Sequence, residues 1–252
     1  MERNRAPPQL ARWSGGTDLF SMRVRCTHRG IGQNEIEGSL TGLRIRLAIR
    51  YAVDGDLRFI SHHDTLRLFE RALARASLPV HYSQGFNPRP RMSIVLPRPV
   101  GVASRDELLV VELDSEMNSE EALSRLSQHM PVGLMLLTAD FMDTTKRWTP
   151  ERATYSLSLE REQRDSVAQI ASTLLAAESL PVERTIPKST SRRSVDIRPY
   201  LVEVTPTPEG VQWTQTISQS GTARVGEVLE VLGLPSREYL HRVRRERVEY
   251  AS

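Results

Sequence analysis

The chain has 252 residues, enough for one sizeable core or two small ones. Its 39% hydrophobic and 26% charged residues suit an ordinary globular protein, and no window approaches the roughly 18 apolar residues of a membrane span. Net charge is only +3, yet Lys146 and Lys188 are the only lysines, so the cations are almost all arginine, whose planar fork suits phosphate and carboxylate.

The N-terminal stretch is polar, with Gly15, Gly16 and Asp18 breaking any apolar run, so no signal peptide is expected and the default address is the cytoplasm. Cys26 is the single cysteine, which excludes an intrachain disulfide framework and any cysteine-ligated iron–sulfur cluster built by this chain alone. A GC-rich genome, which favours arginine codons, is one explanation of the overall bias, but the distribution says more. Between His81 and Arg105 stand Arg89, Arg91, Arg98 and Arg105 with no acid among them, a local basic patch.

Residues 1–42 show no sustained hydrophobic period and are expected to form a disordered extension. "LRIRLAIRYAV" (43–53) then alternates apolar residues with Arg44, Arg46, Ala48 and Arg50, predicting a half-buried strand with a basic outer face. "DGD" (54–56) reads as a turn and "LRFI" (57–60) as a short strand. Ser61 opens a helix whose Leu66, Phe69, Leu73 and Ala76 form one apolar stripe, and Pro79 stops it. Strands are expected over 91–96 and 107–113, a helix from Asn118 or Ser119 to about His129, and a strand over 132–142. That order is the split β-α-β, ferredoxin-like one.

"TTKRWTP" (144–150) reads as a linker. The second half repeats the scheme: strands at 153–160, 181–186, 197–204 and 211–218, helices at 163–177 and 224–232, and a last segment ending at "RRERVEY". "PKSTSRRS" (187–194) reads as a basic loop. The expected architecture is therefore α+β, two tandem ferredoxin-like halves with antiparallel sheets, over 43–143 and 151–252.

The stretch "LRFISHHDTLRLFERALARASLPVHYSQGFNPRPR" (57–91) concentrates the candidate chemistry. Ser61 with Asp64 three residues on resembles a capping box, and Asp64 in the first turn complements the helix dipole. His62 and His63 are adjacent, diverge by ~100° on a helix and lack the i, i+4 spacing of a metal pair, so no metal is expected. A neutral His62 at the helix N-terminus, or His81 beyond the helix, could serve as a general acid or base.

Arg67, Arg71 and Arg75 recur at every fourth position, too many cations for Glu70 to neutralise; the stripe is either a solvated face or an anion-binding one. In "YSQGFNPRPR", Gly85 allows a left-handed backbone while Pro88 and Pro90 impose extended geometry on Asn87 and Arg89. A rigid loop then holds Phe86, Asn87, Arg89 and Arg91 in fixed directions. Phe86 is either a core plug or an exposed ring suited to stacking on a nucleobase beside phosphate-binding arginines. No glycine-rich phosphate loop, CxxC or nucleophile elbow occurs, so these residues give a basic surface and no reaction.

The same residues resemble a known family. Phe59, Ser61, His62 and Asp64 start its pattern, with Arg67, Glu70 and Arg71 on the helix and Leu78-Pro79 ending it. Gly85, Phe86, Asn87, Pro88 and Pro90 form its loop, followed by Leu96, Pro97, Gly101, Ser104 and Glu107. This pattern is similar to the bacterial radical-SAM-linked (radical SAM-associated) protein family. That family is a domain of unknown function fused to or encoded beside radical SAM proteins with a cobalamin-binding-like domain. His63 stands where an apolar residue is expected.

The resemblance implies a radical SAM partner enzyme, with the iron–sulfur cluster and S-adenosylmethionine in that partner and no cofactor in this chain. It brings no reaction. Three functions stay open: an accessory module presenting a substrate such as RNA, a metal-independent RNA-processing or RNA-modifying enzyme using His62 or His81, and a protein-interaction scaffold.

Overall fold

The computed structural model describes residues 45–142, 147–185 and 191–251. The extension expected over 1–42 lies outside the described residues, as do residue 143, residues 144–146 of the expected linker and 186–190 around the basic loop. The described residues form a mixed α and β structure around a mostly antiparallel sheet. Among them, no helix is long and apolar enough to cross a membrane.

Strand β1 (Ile45–Val53) buries Leu47, Ile49, Tyr51 and Val53, as the alternation requires. Asp54 then accepts a hydrogen bond from the Gly55 N–H at 2.8 Å, and Gly55 takes φ +58°. The chain winds into a 3-10 turn, Gly55–Phe59, where a strand was expected from Leu57. The reason is local: an aspartate cap followed by a left-handed glycine closes a turn before extended pairing can begin.

Helix α1 (His62–Arg75) follows, with Phe69, Ala72 and Leu73 buried. It ends because Ser77 adopts φ +52° and the Leu78 N–H reaches back to the Leu73 carbonyl, with Pro79 beyond. β2 (Met92–Ile94), β3 (Ala103–Leu113), α2 (Ser119–Ser127) and β4 (Leu134–Met142) complete the first half. Asn118 caps α2 by accepting from the Glu120 and Glu121 N–H groups at 2.8 and 3.0 Å.

The second half runs β5 (Thr149–Ser158), α3 (Arg161–Leu174), β6 (Pro181–Thr185), β7 (Arg192–Asp196), β8 (Leu201–Thr207) and β9 (Gly210–Thr216). Then come α4 (Val225–Val231), α5 (Ser236–Tyr239) and β10 (Val243–Ala251). Two expectations change here. Residues 192–194, expected in a loop, pair with β6, and β8 begins only at Leu201 because Pro199 sits in a 3-10 turn, Arg198–Tyr200.

Eight strands of the two halves share one sheet, β4-β1-β3-β10-β5-β9-β8 with β2 on β3, while β6 and β7 form a separate two-stranded sheet. The free edge of β3 is shared. Its Leu109–Val111 stretch takes β2 antiparallel, while Ala103 and Ser104 take Arg244 and Arg245 of β10 in parallel. The last strand of the chain thus enters between the halves. Each half keeps its own apolar cluster, around Phe69 and Leu109 in the first and Trp213 and Leu229 in the second.

Polar ties cross the joint. Arg245 and Glu107, each 1% exposed, pair at 3.0 Å between β10 and β3. Arg244 meets Asp54 at 3.1 Å, Arg105 meets Glu246 at 3.3 Å, and the Val248 N–H donates to Asp106 at 2.8 Å.

Candidate functional site

The start of α1 is capped as expected. The Asp64 N–H donates to Ser61 Oγ at 3.1 Å, and the Ser61 hydroxyl donates back to the Asp64 carboxylate at 2.7 Å. That exchange holds the Asp64 carboxyl below its ordinary range, with Arg67 at 3.3 Å assisting. Ser61, Asp64 and Arg67 therefore form one local unit at the helix end.

His62 points elsewhere. It lines a small cavity of about 10 Å³ together with Tyr51, Thr65, Arg98 and Glu107. Its Nδ1 is buried without a hydrogen-bond partner among the described residues. Burial, and then the neighbouring His63, lower its pKa and favour the neutral ring. Below it, burial raises the Glu107 carboxyl above the ordinary range, with Arg245, Ser104 and Arg98 pulling the other way. Burial likewise raises the Tyr51 phenol. A space this small holds about one water-sized sphere.

His81 is not part of that cavity. Its Nδ1 lies 2.6 Å from Asp114 Oδ1 at the far end of β3, so the two histidines serve different places. His63 is exposed, its ring 5.5 Å from that of His62.

The segment 81–91 is a pinned arm. The His81 N–H donates to the Glu112 carbonyl, the Glu112 N–H to Arg91, and the Arg91 N–H to His81, each at 2.8 Å. Nearer the tip, the Ser83 N–H donates to the Arg89 carbonyl at 2.8 Å and the Arg89 N–H to Ser83 Oγ at 3.0 Å. Gly85 turns the tip at φ +137°, and the pyrrolidine rings of Pro88 and Pro90 stiffen the return. Phe86 stands fully exposed at that tip beside exposed Asn87, so the core-plug alternative for Phe86 does not hold.

Between this arm and α1 runs a groove of about 590 Å³, lined by Arg67, Arg71, Arg89, Tyr82 and Pro88, with Glu70 as its acid. Arg71 and Arg89 have no carboxylate partner among the described residues. Arg75 lies around the helix, in a second depression that shares Arg71 with Gln128 and His129.

Arg91 does not join that groove. Residues two apart on a regular strand share a face, but 89–91 lies ahead of β2; Arg91 falls on the side of Ser93, whose partner Val110 shares a face with Glu112. There it lines a depression with Arg46, Arg147 and Trp148. The other two arginines of the basic patch have structural duties. Arg98 donates to the carbonyls of Leu57 and Arg58, each at 2.6 Å, and Arg105 pairs with Glu246.

Sequence reasoning missed three contributors. Tyr82 is given no role by the sequence, yet its ring is exposed on the groove wall. Trp148, read as linker, borders the opposite face. The Glu107–Arg245 pair joins residues far apart in the chain, and no local signal announces it.

The fold and site thus define an α+β protein with a basic, aromatic-tipped arm beside a helix. A family model described as an uncharacterized protein conserved in bacteria (DUF2344) matches residues 46–228, and the chain belongs to that family. No curated protein matches the chain.

Proposed function

We propose that the chain is a binding module that takes single-stranded RNA along the α1–arm groove and presents it to a radical SAM enzyme. One observation carries the RNA reading. A fully exposed Phe86 tips the pinned arm whose Pro88 and Arg89 line a groove, and Arg71 and Arg89 there lack carboxylate partners among the described residues. Aromatic rings stack on any base, and guanidinium groups track phosphates. The partner enzyme rests on the motif resemblance. It is consistent with the single Cys26, which cannot ligate an iron–sulfur cluster alone.

We also read each half as ferredoxin-like. Supporting this, β4-β1-β3-β2 and β10-β5-β9-β8 both follow the fourth-first-third-second order with antiparallel neighbours, β6 and β7 forming an inserted hairpin. Such a fold carries many functions, so the binding reading stands on the groove and not on the fold.

The test is fluorescence anisotropy with a labelled single-stranded RNA. Arg71→Ala with Arg89→Ala is expected to weaken binding at least tenfold, and Phe86→Ala by about as much. Affinity unchanged by all three would remove the proposal. Co-purification with a radical SAM protein tests the partner; capture of that protein without any RNA effect would favour the scaffold reading instead.

A second reading, a metal-independent RNA-processing enzyme, is favoured by the buried, unpartnered Nδ1 of His62 beside Glu107. It requires RNA turnover by the purified chain, lost in His62→Gln. Turnover that survives that change and His81→Gln would sink it.

A further inference from the structure

The opposite face of the sheet carries a second basic depression, of about 550 Å³, with Arg46, Arg91, Arg147 and Trp148 on its rim. Glu112 is the acid there, 3.7 Å from Arg46. Arg91 and Arg147 have no carboxylate partner among the described residues, so the depression keeps a positive excess. Trp148 is partly exposed and held in place: its ring meets Tyr250 edge-on at 5.2 Å, and the Arg50 guanidinium lies 5.8 Å from it. Arg50 is itself fixed by Asp106. A braced aromatic face beside unpaired guanidinium groups is the chemistry that accepts a base and its phosphate.

This depression is joined to the α1–arm groove. Met92 lines both, and Arg89 and Arg91, two residues and roughly 7 Å apart along the chain, line one depression each. We propose that the Trp148 face is a second nucleotide subsite. Single-stranded RNA held by Arg71 and Arg89 continues past Met92 at the β2 edge and places a base on Trp148, its phosphates on Arg91 and Arg147. The inference rests on the RNA reading above and extends it to a wrapped strand. An acidic peptide would use the same charges but gain little from the ring, so the aromatic brace favours nucleic acid.

Length dependence separates the two claims. RNAs of roughly 4 and roughly 16 nucleotides bracket the range that single-strand sites accept. The longer RNA is expected to bind at least tenfold more tightly. Arg91→Ala with Arg147→Ala, or Trp148→Leu, should abolish that gain and leave the short RNA unaffected, whereas Arg71→Ala with Arg89→Ala should weaken both.

In a Trp13→Phe background the remaining tryptophans are Trp148 and the fully buried Trp213. The longer RNA should therefore quench fluorescence and the shorter should not. A length gain that survives these changes, or tight binding of the long RNA without quenching, overturns the wrapped strand and leaves the α1–arm reading standing. Failure of both RNAs to bind overturns both claims. Quenching by polyglutamate but not by RNA would make the Trp148 face a protein-binding one and overturn the inference.

Discussion

Replacing Glu107 by leucine should be among the most damaging single changes in the fold. Glu107 and Arg245 are each 1% exposed and 3.0 Å apart, and the Arg245 Nη1 also donates to the Leu96 carbonyl at 3.1 Å. Removing the carboxylate strands a guanidinium in the joint between β3 and β10, which costs about 3–5 kcal/mol. At 2–4 °C per kcal/mol for a chain of this size, the melting temperature should fall by about 6–20 °C. Replacing both residues, Glu107→Leu with Arg245→Met, removes the stranded charge and should recover most of that loss. Thermal and urea melts of the two single variants and the double variant give the coupling directly. If Glu107→Leu costs less than about 1 kcal/mol, or the double variant is the sum of the singles, the pair does not organise the joint and the reasoning fails.

Other changes test smaller pieces. Ser61→Ala removes the α1 cap and should cost about 1 kcal/mol in a urea melt, with an unchanged slope. Gly133 has φ +93°, and a Cβ there would lie 2.7 Å from the Asp54 carbonyl oxygen, so Gly133→Ala should cost more than about 1 kcal/mol and lower the melting temperature. Burial works to raise the Asp54 pKa, but the Gly55 N–H, Arg244 and Arg58 outweigh it and hold the carboxyl below its ordinary range. A folded pKa below the unfolded one contributes stability that is complete above the unfolded value and is lost as pH falls through the folded one. Asp54→Asn should therefore flatten the acid side of a melting-temperature profile; a profile as steep as the parent's would count against the Asp54 ties.

Much of the fold was legible because it is locally encoded. The alternation over Leu47–Val53, the Ser61–Asp64 cap and the Phe69–Leu73 stripe report elements whose partners lie within a few residues or on one face. The pinned arm was legible for the same reason: glycine and proline restrict φ wherever they stand.

What escaped is non-local. Nothing near Val243 says that β10 will enter beside β3, since that depends on strand edges left free far upstream. Leu57–Ile60 misled because its apolar residues match a strand while Asp54 and Gly55 decide a turn. Arg89 and Arg91 were grouped as one patch, as a period of two would have it, but the segment ahead of β2 is not a regular strand and they line different depressions.

The central claim is that this surface binds single-stranded RNA through arginine–phosphate contacts, and a salt titration of RNA affinity tests it most directly. For an RNA long enough to reach both depressions, Arg71 and Arg89 in the groove and Arg91 and Arg147 beside Trp148 have no carboxylate partner among the described residues. At about 0.7 per phosphate contact for a single strand, these arginines predict a log–log slope near −3, or roughly 50-fold weaker binding between 50 and 200 mM salt. Arg71→Ala with Arg89→Ala should reduce the slope by about 1.4. A slope near zero, or one those substitutions leave unchanged, would contradict the account.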